Sequence, residues 1–440
     1  MKRTVVLGGG ISGVGAAVLA KQKGFEVFVS DKGIIKRNNK EVLLSNDIEW
    51  EEKKHTYKKI LNADEVIKSP GISDQIDLIQ QLNIKKIPVI SEIEFAARYT
   101  KARIAAITGS NGKTTTTLLL GHILKSAGYN VLVAGNIGVS FAFEISKLDC
   151  EYDYIVLELS SFQLDGIQKF RSEISILLNI TPDHLDRYDN NIENYTASKF
   201  RITENQKKND VLIYNSDDPI LKDIITKAKK LPFSLEKRLT EGAFHQNNEI
   251  IINLNNQIMT IQELSLQGKH NISNSMAAAM AARVFEIKDT VICQAMTDFQ
   301  NLEHRLEYVL TVHGIDFIND SKATNINSCW YALESMTKDI IWIAGGVDKG
   351  NDYTELTHLV EEKVKAIICL GKNNEKIINA FRGKVKTIVQ ASDMKDAVKQ
   401  SYTLSNNNDV VLLSPACASF DLFENYEDRG FQFKKAVRNL

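Results

Sequence analysis

Short apolar runs alternate along this chain with longer segments in which apolar residues recur at helical spacing. The clearest short runs are Thr4–Leu7, Arg103–Thr108, Tyr154–Leu157, Ile174–Leu178 and Ile340–Ala344. Strands separated by helices of roughly 10–15 residues are typical of parallel, doubly wound sheets. The pattern therefore predicts an α/β protein.

The predicted elements fall into three blocks. In the first, Ile87–Ser91 predicts a last strand and a connector, and the third begins near Leu302. Because a domain usually has roughly 100–200 residues, we predict three domains over residues 1–92, 93–301 and 302–440. Late in the second block, Glu249–Ile252 and Leu254–Ile258 predict an antiparallel hairpin. The strands predicted in the third block are Asp316–Asn319, Ile340–Ala344, Ala366–Leu370 and Val410–Leu413.

Composition and charge exclude several classes of protein. The 54 Lys and Arg residues nearly cancel the 55 Asp and Glu residues, giving a net charge of −1. This balance argues against a general binder of nucleic acid or of anionic membranes. No apolar run approaches the ~20 residues of a membrane span, and the N-terminus leads directly into a strand without a signal peptide. The five cysteines form no CxxC pair, which favours thiols in a reducing compartment. We therefore expect a cytoplasmic protein without membrane insertion.

A first glycine-rich loop follows the first predicted strand. Gly8–Gly13 fits the pattern G-x-G-x-x-G, and Asp31 closes the next strand, where a ribose-binding acid belongs. Glycines at this position allow the backbone to approach a pyrophosphate at a helix N-terminus. Taken alone, the segment favours an NAD(P) oxidoreductase, with a tight structural turn as the alternative. It predicts a diphosphate nucleotide without identifying which one.

A second glycine-rich loop, Thr108–Thr114, follows the strand at Arg103. Gly112-Lys113-Thr114 matches the end of a P-loop, although Ile107 stands where the first glycine of that motif falls. The chemistry tolerates this difference, because backbone N–H groups bind the phosphates, Lys113 offsets their charge and the Thr114 hydroxyl can bind Mg²⁺.

Three further residues are expected at this second loop. Glu158 ends the strand Tyr154–Leu157, His184 lies just after the strand Ile174–Leu178, and Lys199 lies on a predicted helix. Ligands of doubly wound sheets bind beyond the carboxyl ends of the strands, so these side chains should converge. Individually they could be a helix cap, a loop histidine and a solvated lysine. Their coincidence with the P-loop favours a catalytic site.

Five segments carry a family resemblance: Thr108–Thr114, Leu157–Gln163, Asn179–Arg187, Gly268–Asn271 and Asp320–Asn325. Together they resemble the Mur ligases of peptidoglycan synthesis, in the order of that family and over essentially the whole chain. The resemblance implies a Rossmann-like N-terminal domain for a UDP-linked substrate, a central P-loop ATPase-type domain with a mostly parallel sheet, and a Rossmann-like C-terminal domain for an amino acid.

The resemblance also implies a reaction. An ATP-dependent ligase of this kind would activate UDP-N-acetylmuramoyl-L-alanine as an acyl phosphate and join it to D-glutamate, releasing ADP and phosphate. Two Mg²⁺ ions are implied, with ligands Thr114, Glu158, His184 and Lys199, the lysine being carbamylated by CO₂. A carbamate is an anionic oxygen ligand, whereas a free ammonium repels Mg²⁺. A monomer is expected, with no nucleic-acid partner.

By the same resemblance the site residues form four sets. The catalytic residues would be Lys113, Glu158, His184 and Lys199. The ATP contacts would be Gly109, Ser110, Asn111, Gly112, Lys113, Thr114, Thr115, Asn271, Asn274, Arg305 and Asp320. The UDP-substrate contacts would be Gly10, Ile11, Ser12, Gly13, Asp31, Gly71, Asn136, Ser160 and His184. The D-glutamate contacts would be Thr324, Lys349, Ser419 and Tyr426. Tyr426 stands where Phe is commoner in the family, and Lys32-Gly33 stand where a Thr-Arg pair can occur.

Several alternatives remain at this stage. Mur-type ligases for other amino acids are the nearest, but Asp320–Asn325 favours D-glutamate over them. A folylpolyglutamate synthetase lacks the N-terminal domain. An NAD(P) dehydrogenase would leave Lys113, Glu158 and His184 without roles, and a nucleotide-dependent switch protein would leave the C-terminal motifs without one.

Overall fold

The computed structural model describes residues 2–147, 151–262, 268–299 and 303–440. The chain forms two compact units, Met1–Leu264 with Asn271–Asp298, and Ser265–His270 with Phe299–Leu440. The predicted boundary at Asn301 and Leu302 lies outside the described residues, as does Cys150. The three domain limits therefore stay a prediction, whereas the three sheets described below confirm the α/β class.

The N-terminal sheet has five parallel strands in the order β3-β2-β1-β4-β5. Because β1 has the next strand of the chain on one side and β4 on the other, its carboxyl end is the switch point at which ligands of such sheets bind. The strands are β1 (Arg3–Leu7), β2 (Glu26–Ser30), β3 (Glu49–Glu51), β4 (Glu65–Lys68) and β5 (Val89–Ile90). The helices are α1 (Ile11–Gln22), α2 (Arg37–Ser45), α3 (Tyr57–Ile60), α4 (Asp77–Ile84) and α5 (Glu92–Ala96).

The central sheet has nine strands in the order β14-β13-β12-β11-β10-β9-β6-β8-β7. It is parallel from β12 to β7 and antiparallel at β13 and β14. The strands are β6 (Arg103–Thr108), β7 (Val131–Gly135), β8 (Tyr154–Glu158), β9 (Ile174–Leu177), β10 (Val211–Asn215), β11 (Lys229–Ser234), β12 (Gly242–Gln246), β13 (Glu249–Leu254) and β14 (Gln257–Ile261). The helices are α6 (Lys113–Ser126), α7 (Phe141–Ser146), α8 (Ser161–Leu164), α9 (Ile192–Phe200), α10 (Lys269–Val284) and α11 (Asp289–Asp298).

The predicted hairpin is present, but its turn lies two residues later than expected. Leu254 ends the first strand and pairs with Gln257, so Asn255 and Asn256 form the turn. Both asparagines have positive φ, 52° and 62°. Two such residues in succession match the twist of the flanking strands, and asparagine tolerates this conformation better than most residues. The prediction that the first strand ends before Leu254 was therefore wrong, because the chain turns at the two asparagines instead.

The C-terminal sheet has six strands in the order β15-β16-β20-β17-β18-β19, parallel except for β15. The strands are β15 (Glu307–Val312), β16 (Ile315–Asn319), β17 (Ile340–Ala344), β18 (Val364–Leu370), β19 (Thr387–Ala391) and β20 (Val410–Leu413). The helices are α12 (Ile326–Ser335), α13 (Thr357–Lys363), α14 (Glu375–Phe381), α15 (Met394–Leu404) and α16 (Tyr426–Val437). The sequence pattern did not predict β15 and β19, which are half-exposed edge strands with weak apolar patterning.

The first two sheets share one hydrophobic core. Its buried side chains include Val6 and Leu19 from the N-terminal sheet and its helix α1, Phe95 from α5, and Ile104 and Phe141 from the central region. These residues belong to the same compact unit. Within the described residues, no helix has the length and apolar character needed to cross a membrane.

Candidate active site

The second glycine-rich loop joins β6 to α6, and Lys113 begins the helix. Gly112 has φ 83°, and a Cβ there would lie 2.2 Å from Asn274 Oδ1, so glycine is required. The Nζ atom of Lys113 donates to the carbonyl oxygens of Gly109 and Ser110, both at 2.7 Å. The helix N-terminus and this ammonium make an anion-binding position. The structure also places Asn274 against the loop, and its contact to the nucleotide stays a prediction.

The segment after β9 holds the loop in place. Ser110 Oγ donates to the carbonyl oxygen of Thr181 at 2.8 Å and accepts from the N–H of Thr181 at 2.9 Å. The N–H of Asn111 donates to Asn179 Oδ1 at 2.8 Å. Because β9 pairs directly with β6, residues that follow the two strands meet at one edge of the sheet. The motif Asn179–Arg187 therefore lies beside the second glycine-rich loop, Thr108–Thr114, which is called the phosphate loop below.

Glu158 ends β8 on the other side of β6, and its side chain is 2% exposed. Its Oε1 atom accepts from Asn136 Nδ2 at 2.8 Å, and Asn136 directly follows β7. Its Oε2 atom is buried and has no hydrogen-bond partner in the described part of the chain. A buried carboxylate oxygen without a partner is costly unless a cation approaches it. The predicted role of Glu158 as a metal ligand stays a prediction.

Lys199 lies on α9 and is 1% exposed. Its Nζ atom donates to the carbonyl oxygen of Gly109 at 2.9 Å and lies 4.6 Å from the ring centroid of Tyr195. Burial, and then the charge of Lys113, lower the pKa of Lys199 well below its ordinary value, although Asp183 and Glu158 act in the opposite direction. Burial therefore favours the neutral amine over the ammonium at this position. These interactions bring the predicted catalytic residues Lys113, Glu158 and Lys199 into one neighbourhood.

His184 lies in the segment that follows β9, with φ 53°. Its Nε2 atom lies 3.7 Å from Asp183 Oδ1, and its ring centroid lies 5.3 Å from that of Phe162. The residue therefore shares the sheet edge of the phosphate loop. Among the described residues, no group of three His, Cys, Asp or Glu side chains is arranged for a metal ion. The predicted ligand set is of another kind, since it includes a hydroxyl and a modified lysine.

Family models match the chain in three consecutive parts. Residues 6–78 match the MurD N-terminal domain, residues 107–282 the Mur ligase middle domain, and residues 304–417 the Mur ligase glutamate ligase domain. The chain is 55% identical to the UDP-N-acetylmuramoylalanine–D-glutamate ligase of Christiangramia forsetii and 54% identical to that of Bacteroides thetaiotaomicron. Each comparison covers 100% of both chains. The chain belongs to the Mur ligase family.

Solved structures support the fold of this Mur ligase. A pseudomurein peptide ligase type C from Methanothermus fervidus aligns with a TM-score of 0.64 at 19% identity. UDP-N-acetylmuramate-alanine ligase MurC from Thermotoga maritima aligns with a TM-score of 0.62 at 17% identity. Both alignments cover 100% of each chain. At these identities they show the three-domain architecture alone.

The first glycine loop of the Mur ligase is tightly built around Asp31. One carboxylate oxygen accepts from the N–H of Gly9 at 2.6 Å and the other from the N–H of Gly33 at 2.7 Å. A Cβ on Gly13 would lie 1.9 Å from the carbonyl oxygen of Gly8, so α1 can approach β1 only with glycine there. Asp31 therefore shapes the loop, and its contact to the UDP-linked substrate stays a prediction.

The C-terminal sheet brings together the remaining predicted segments. Thr324, Ser419 and Lys349 follow β16, β20 and β17, which are adjacent parallel strands. The loops after β17 and β20 pair through Val347 and Ala418, whose N–H groups donate to each other's carbonyl oxygens at 2.8 and 3.2 Å. All three residues thus lie at one edge of the sheet, with Lys349 exposed and Ser419 buried.

Asp320 and Arg305, the predicted nucleotide contacts of this unit, are neighbours. Asp320 Oδ2 accepts from Ser414 Oγ at 2.9 Å, and Oδ1 accepts from the N–H of Leu306 at 3.2 Å. Burial raises the pKa of Asp320 to about 7, and Arg305 acts against that rise. The predicted contacts Asn271 and Asn274 are buried in the other unit, with Asn274 Nδ2 3.5 Å from Asn271 Oδ1.

Sequence reasoning missed two buried charged residues that shape these sites. Glu92, at the start of α5, accepts from the N–H of Ala142 at 2.9 Å and from the hydroxyls of Ser140 and Ser12. It thereby links the first glycine loop to the start of α7. Arg429, on α16, contacts the segments that carry the predicted amino-acid site. Neither residue lies in a recognisable motif, and only the packing identifies them.

Proposed function

We propose that this Mur ligase joins D-glutamate to UDP-N-acetylmuramoyl-L-alanine at the expense of ATP. The observation that carries the proposal is that Lys113, Glu158 and Lys199 lie together at one sheet edge, in a chain similar over its full length to D-glutamate ligases. The phosphate loop would bind the ATP phosphates. Arg305 and Asp320 are the further nucleotide contacts that we propose.

In the first step, the carboxylate of the UDP-linked substrate attacks the γ-phosphorus of ATP, and the bond to the bridging oxygen of ADP breaks. Lys113 offsets the charge that develops on the transferred phosphoryl group. In the second step, the unprotonated amine of D-glutamate attacks the carbonyl carbon of the acyl phosphate, and phosphate leaves from the tetrahedral intermediate. The residues of this chain chiefly position the reactants and neutralise charge.

Two Mg²⁺ ions fit the residues of this site. Thr114, Glu158, His184 and a carbamylated Lys199 would hold them, and the ions would supply charge neutralisation to the phosphates. The buried, unpartnered Oε2 atom of Glu158 supports this assignment. The lowered pKa of Lys199 supports the carbamate, because a neutral amine adds to CO₂ and then releases its proton to solvent.

We assign the remaining predicted contacts to the two other substrates. The first glycine loop with Asp31, Gly71, Asn136 and Ser160 would bind the UDP-linked substrate. Thr324, Lys349, Ser419 and Tyr426 would bind D-glutamate, because a cation and hydroxyls suit a substrate with an additional side-chain carboxylate.

Phosphate release by the purified full chain tests the proposal. We expect release to require ATP, Mg²⁺, UDP-N-acetylmuramoyl-L-alanine and D-glutamate together. L-glutamate, L-lysine and diaminopimelate serve as competing amino acids, and a Lys113→Ala variant controls for contaminating ATPases. Equal activity with any of the competing amino acids would overturn the specificity, and release without the UDP-linked substrate would overturn the reaction.

A further inference from the structure

Arg429 is a buried cation that the proposed reaction does not use. It lies on α16 and is 2% exposed. Its Nε atom donates to Ser321 Oγ at 3.0 Å, Nη2 to the carbonyl oxygen of Ser321 at 2.8 Å, and Nη1 to the carbonyl oxygen of Cys417 at 3.1 Å. These acceptors are all uncharged. A buried guanidinium without a carboxylate partner in the described residues is expensive, which makes a functional reason worth seeking.

The contacts of Arg429 join the two segments that carry the proposed amino-acid site. Ser321 belongs to the segment after β16, which continues to Thr324, and Cys417 belongs to the segment after β20, which continues to Ser419. Ser321 Oγ in turn donates to the carbonyl oxygen of Tyr426 at 2.8 Å, at the first residue of α16. The guanidinium thus connects the segments that carry Thr324, Ser419 and Tyr426, three of the four residues proposed for D-glutamate.

The charge of Arg429 is also suited to this place. Burial lowers the pKa of Arg429 to about 10, while Cys417, Asp421 and Asp320 act against that fall. The side chain therefore remains a cation near pH 7. Asp320 and Asp421 interact with the guanidinium electrostatically but form none of its three hydrogen bonds. They therefore offset only part of its positive charge, and the rest can attract a substrate that carries two carboxylates.

We infer that Arg429 is a positioning residue for the amino-acid half of the reaction: it clamps the Ser321–Thr324 and Cys417–Ser419 segments together and places a positive charge beneath the dicarboxylate amino acid. The inference rests on the proposed function. Arginine suits the role better than lysine, because its planar fork donates to both segments at once.

Steady-state kinetics of Arg429→Lys and Arg429→Met test the inference. We expect Arg429→Met to raise KM for D-glutamate by about tenfold or more, the size of one charge-assisted contact, and to leave KM for ATP and for the UDP-linked substrate within about twofold. Arg429→Lys should fall between the parent and Arg429→Met, because it keeps the charge and loses the fork.

A matched control lies on the same helix. Lys434 is also a buried cation, but in the part of the chain that the structure describes its ion pairs go to Glu303 and Glu307, outside both segments. Lys434→Met should lower thermal stability without a selective rise in KM for D-glutamate. If Arg429→Met does not yield folded protein, Ser321→Ala removes the hydroxyl that links Arg429 to Tyr426 and should raise the same KM.

The results separate the two levels of the proposal. A parent protein that releases no phosphate with D-glutamate would overturn the proposed function itself. If the parent is active, two results would overturn the role of Arg429 alone. In the first, Arg429→Lys and Ser321→Ala raise KM for all three substrates equally. In the second, they change KM for D-glutamate no more than Lys434→Met does.

Discussion

Replacing Lys199 with methionine distinguishes the effect of this residue on the free energy of unfolding from its role in the reaction. Methionine keeps most of the buried volume and removes the amine. The loss includes one hydrogen bond to the Gly109 carbonyl oxygen, about 0.5–1.5 kcal/mol. The exchange also removes the burial of an amine and its repulsion by Lys113, which oppose folding. We therefore expect the free energy of unfolding near pH 7 to rise, because the penalties that the exchange removes outweigh this hydrogen bond.

The pH dependence gives a sharper expectation. The folded-state pKa of Lys199 lies well below the ordinary lysine value of 10.5. Between these two values the unfolded chain binds a proton on this amine that the folded chain does not. The free energy of unfolding of the parent should therefore rise with pH across that window, by about 1.4 kcal/mol per pH unit for one proton. Below the folded-state pKa this contribution is constant and most unfavourable. Lys199→Met should lack the slope.

Urea unfolding of the parent and Lys199→Met, in CO₂-free buffer without Mg²⁺, measures this difference at a series of pH values. Lys208→Met, which removes an exposed lysine a few residues later, is the matched control and should keep the slope. Parallel stability curves for the parent and Lys199→Met would mean that Lys199 titrates as an ordinary lysine. The chemical basis for a carbamate would then be lost.

The same exchanges at Lys199 should lower the ligase activity, although they remove a group that costs stability. Lys199→Met and Lys199→Ala should lose about a hundredfold or more in kcat, the scale of one preorganised electrostatic group. A short carboxylic acid should partly restore Lys199→Ala, because it supplies an oxygen ligand in the vacated space. Lys199→Arg should not respond, since the guanidinium fills that space and keeps its positive charge. Full activity of Lys199→Ala, without any response to carboxylate, would refute the role.

Three further exchanges test neighbouring parts of the structure. Lys113→Ala should cost at least about 3 kcal/mol of transition-state stabilisation, measured as kcat/KM, and an unchanged value would make the loop structural. Glu158→Gln should weaken the activation by Mg²⁺ at least about tenfold while the circular dichroism spectrum stays the same, because an amide keeps the bond to Asn136 and loses the charge; an unaltered Mg²⁺ titration would exclude Glu158 as a ligand. Burial raises the pKa of Glu92, so the stability of the parent should fall as the pH rises from 4.5 through the folded-state pKa, and Glu92→Gln should remove that fall; identical stability curves would contradict the raised pKa.

The sequence predicted those parts of the fold in which strands are apolar throughout. β6, β17 and β20 match the predicted strands because they are buried on both faces. The edge strands β15 and β19 were missed because their exposed positions dilute the apolar pattern. The hairpin was predicted, but its turn depended on the backbone conformation of Asn255 and Asn256, which the apolar pattern does not encode.

Residues of the candidate site were predictable where a local motif carries them. Glu158 ends β8 and Lys113 begins the helix that follows β6, so the pairing of these two strands brings both residues to one edge of the sheet. Arg429 could not be found in this way, because its partners Ser321 and Cys417 are 108 and 12 residues away along the chain. Its importance arises from which segments α16 packs against, and a single sequence contains no pattern for that contact.

The chemical state of a residue is harder to predict from the sequence than its position in the fold. A lysine at 199 could be predicted near the phosphate loop, but the lowering of its pKa depends on its 1% exposure and on the neighbouring charge of Lys113. The proposed role of Glu158 as a metal ligand similarly rests on its Oε2 atom, which is buried without a partner among the described residues while Oε1 accepts from Asn136. Both features cost stability in the fold, because a buried amine and a buried carboxylate oxygen each lose their hydration. In the proposed site the same burial would favour the nucleophilic amine at Lys199 and would leave an oxygen of Glu158 open to a cation. Replacing either residue with an apolar one of similar size should therefore lower activity far more than it lowers stability, as expected where a reactive site is held at the expense of the fold.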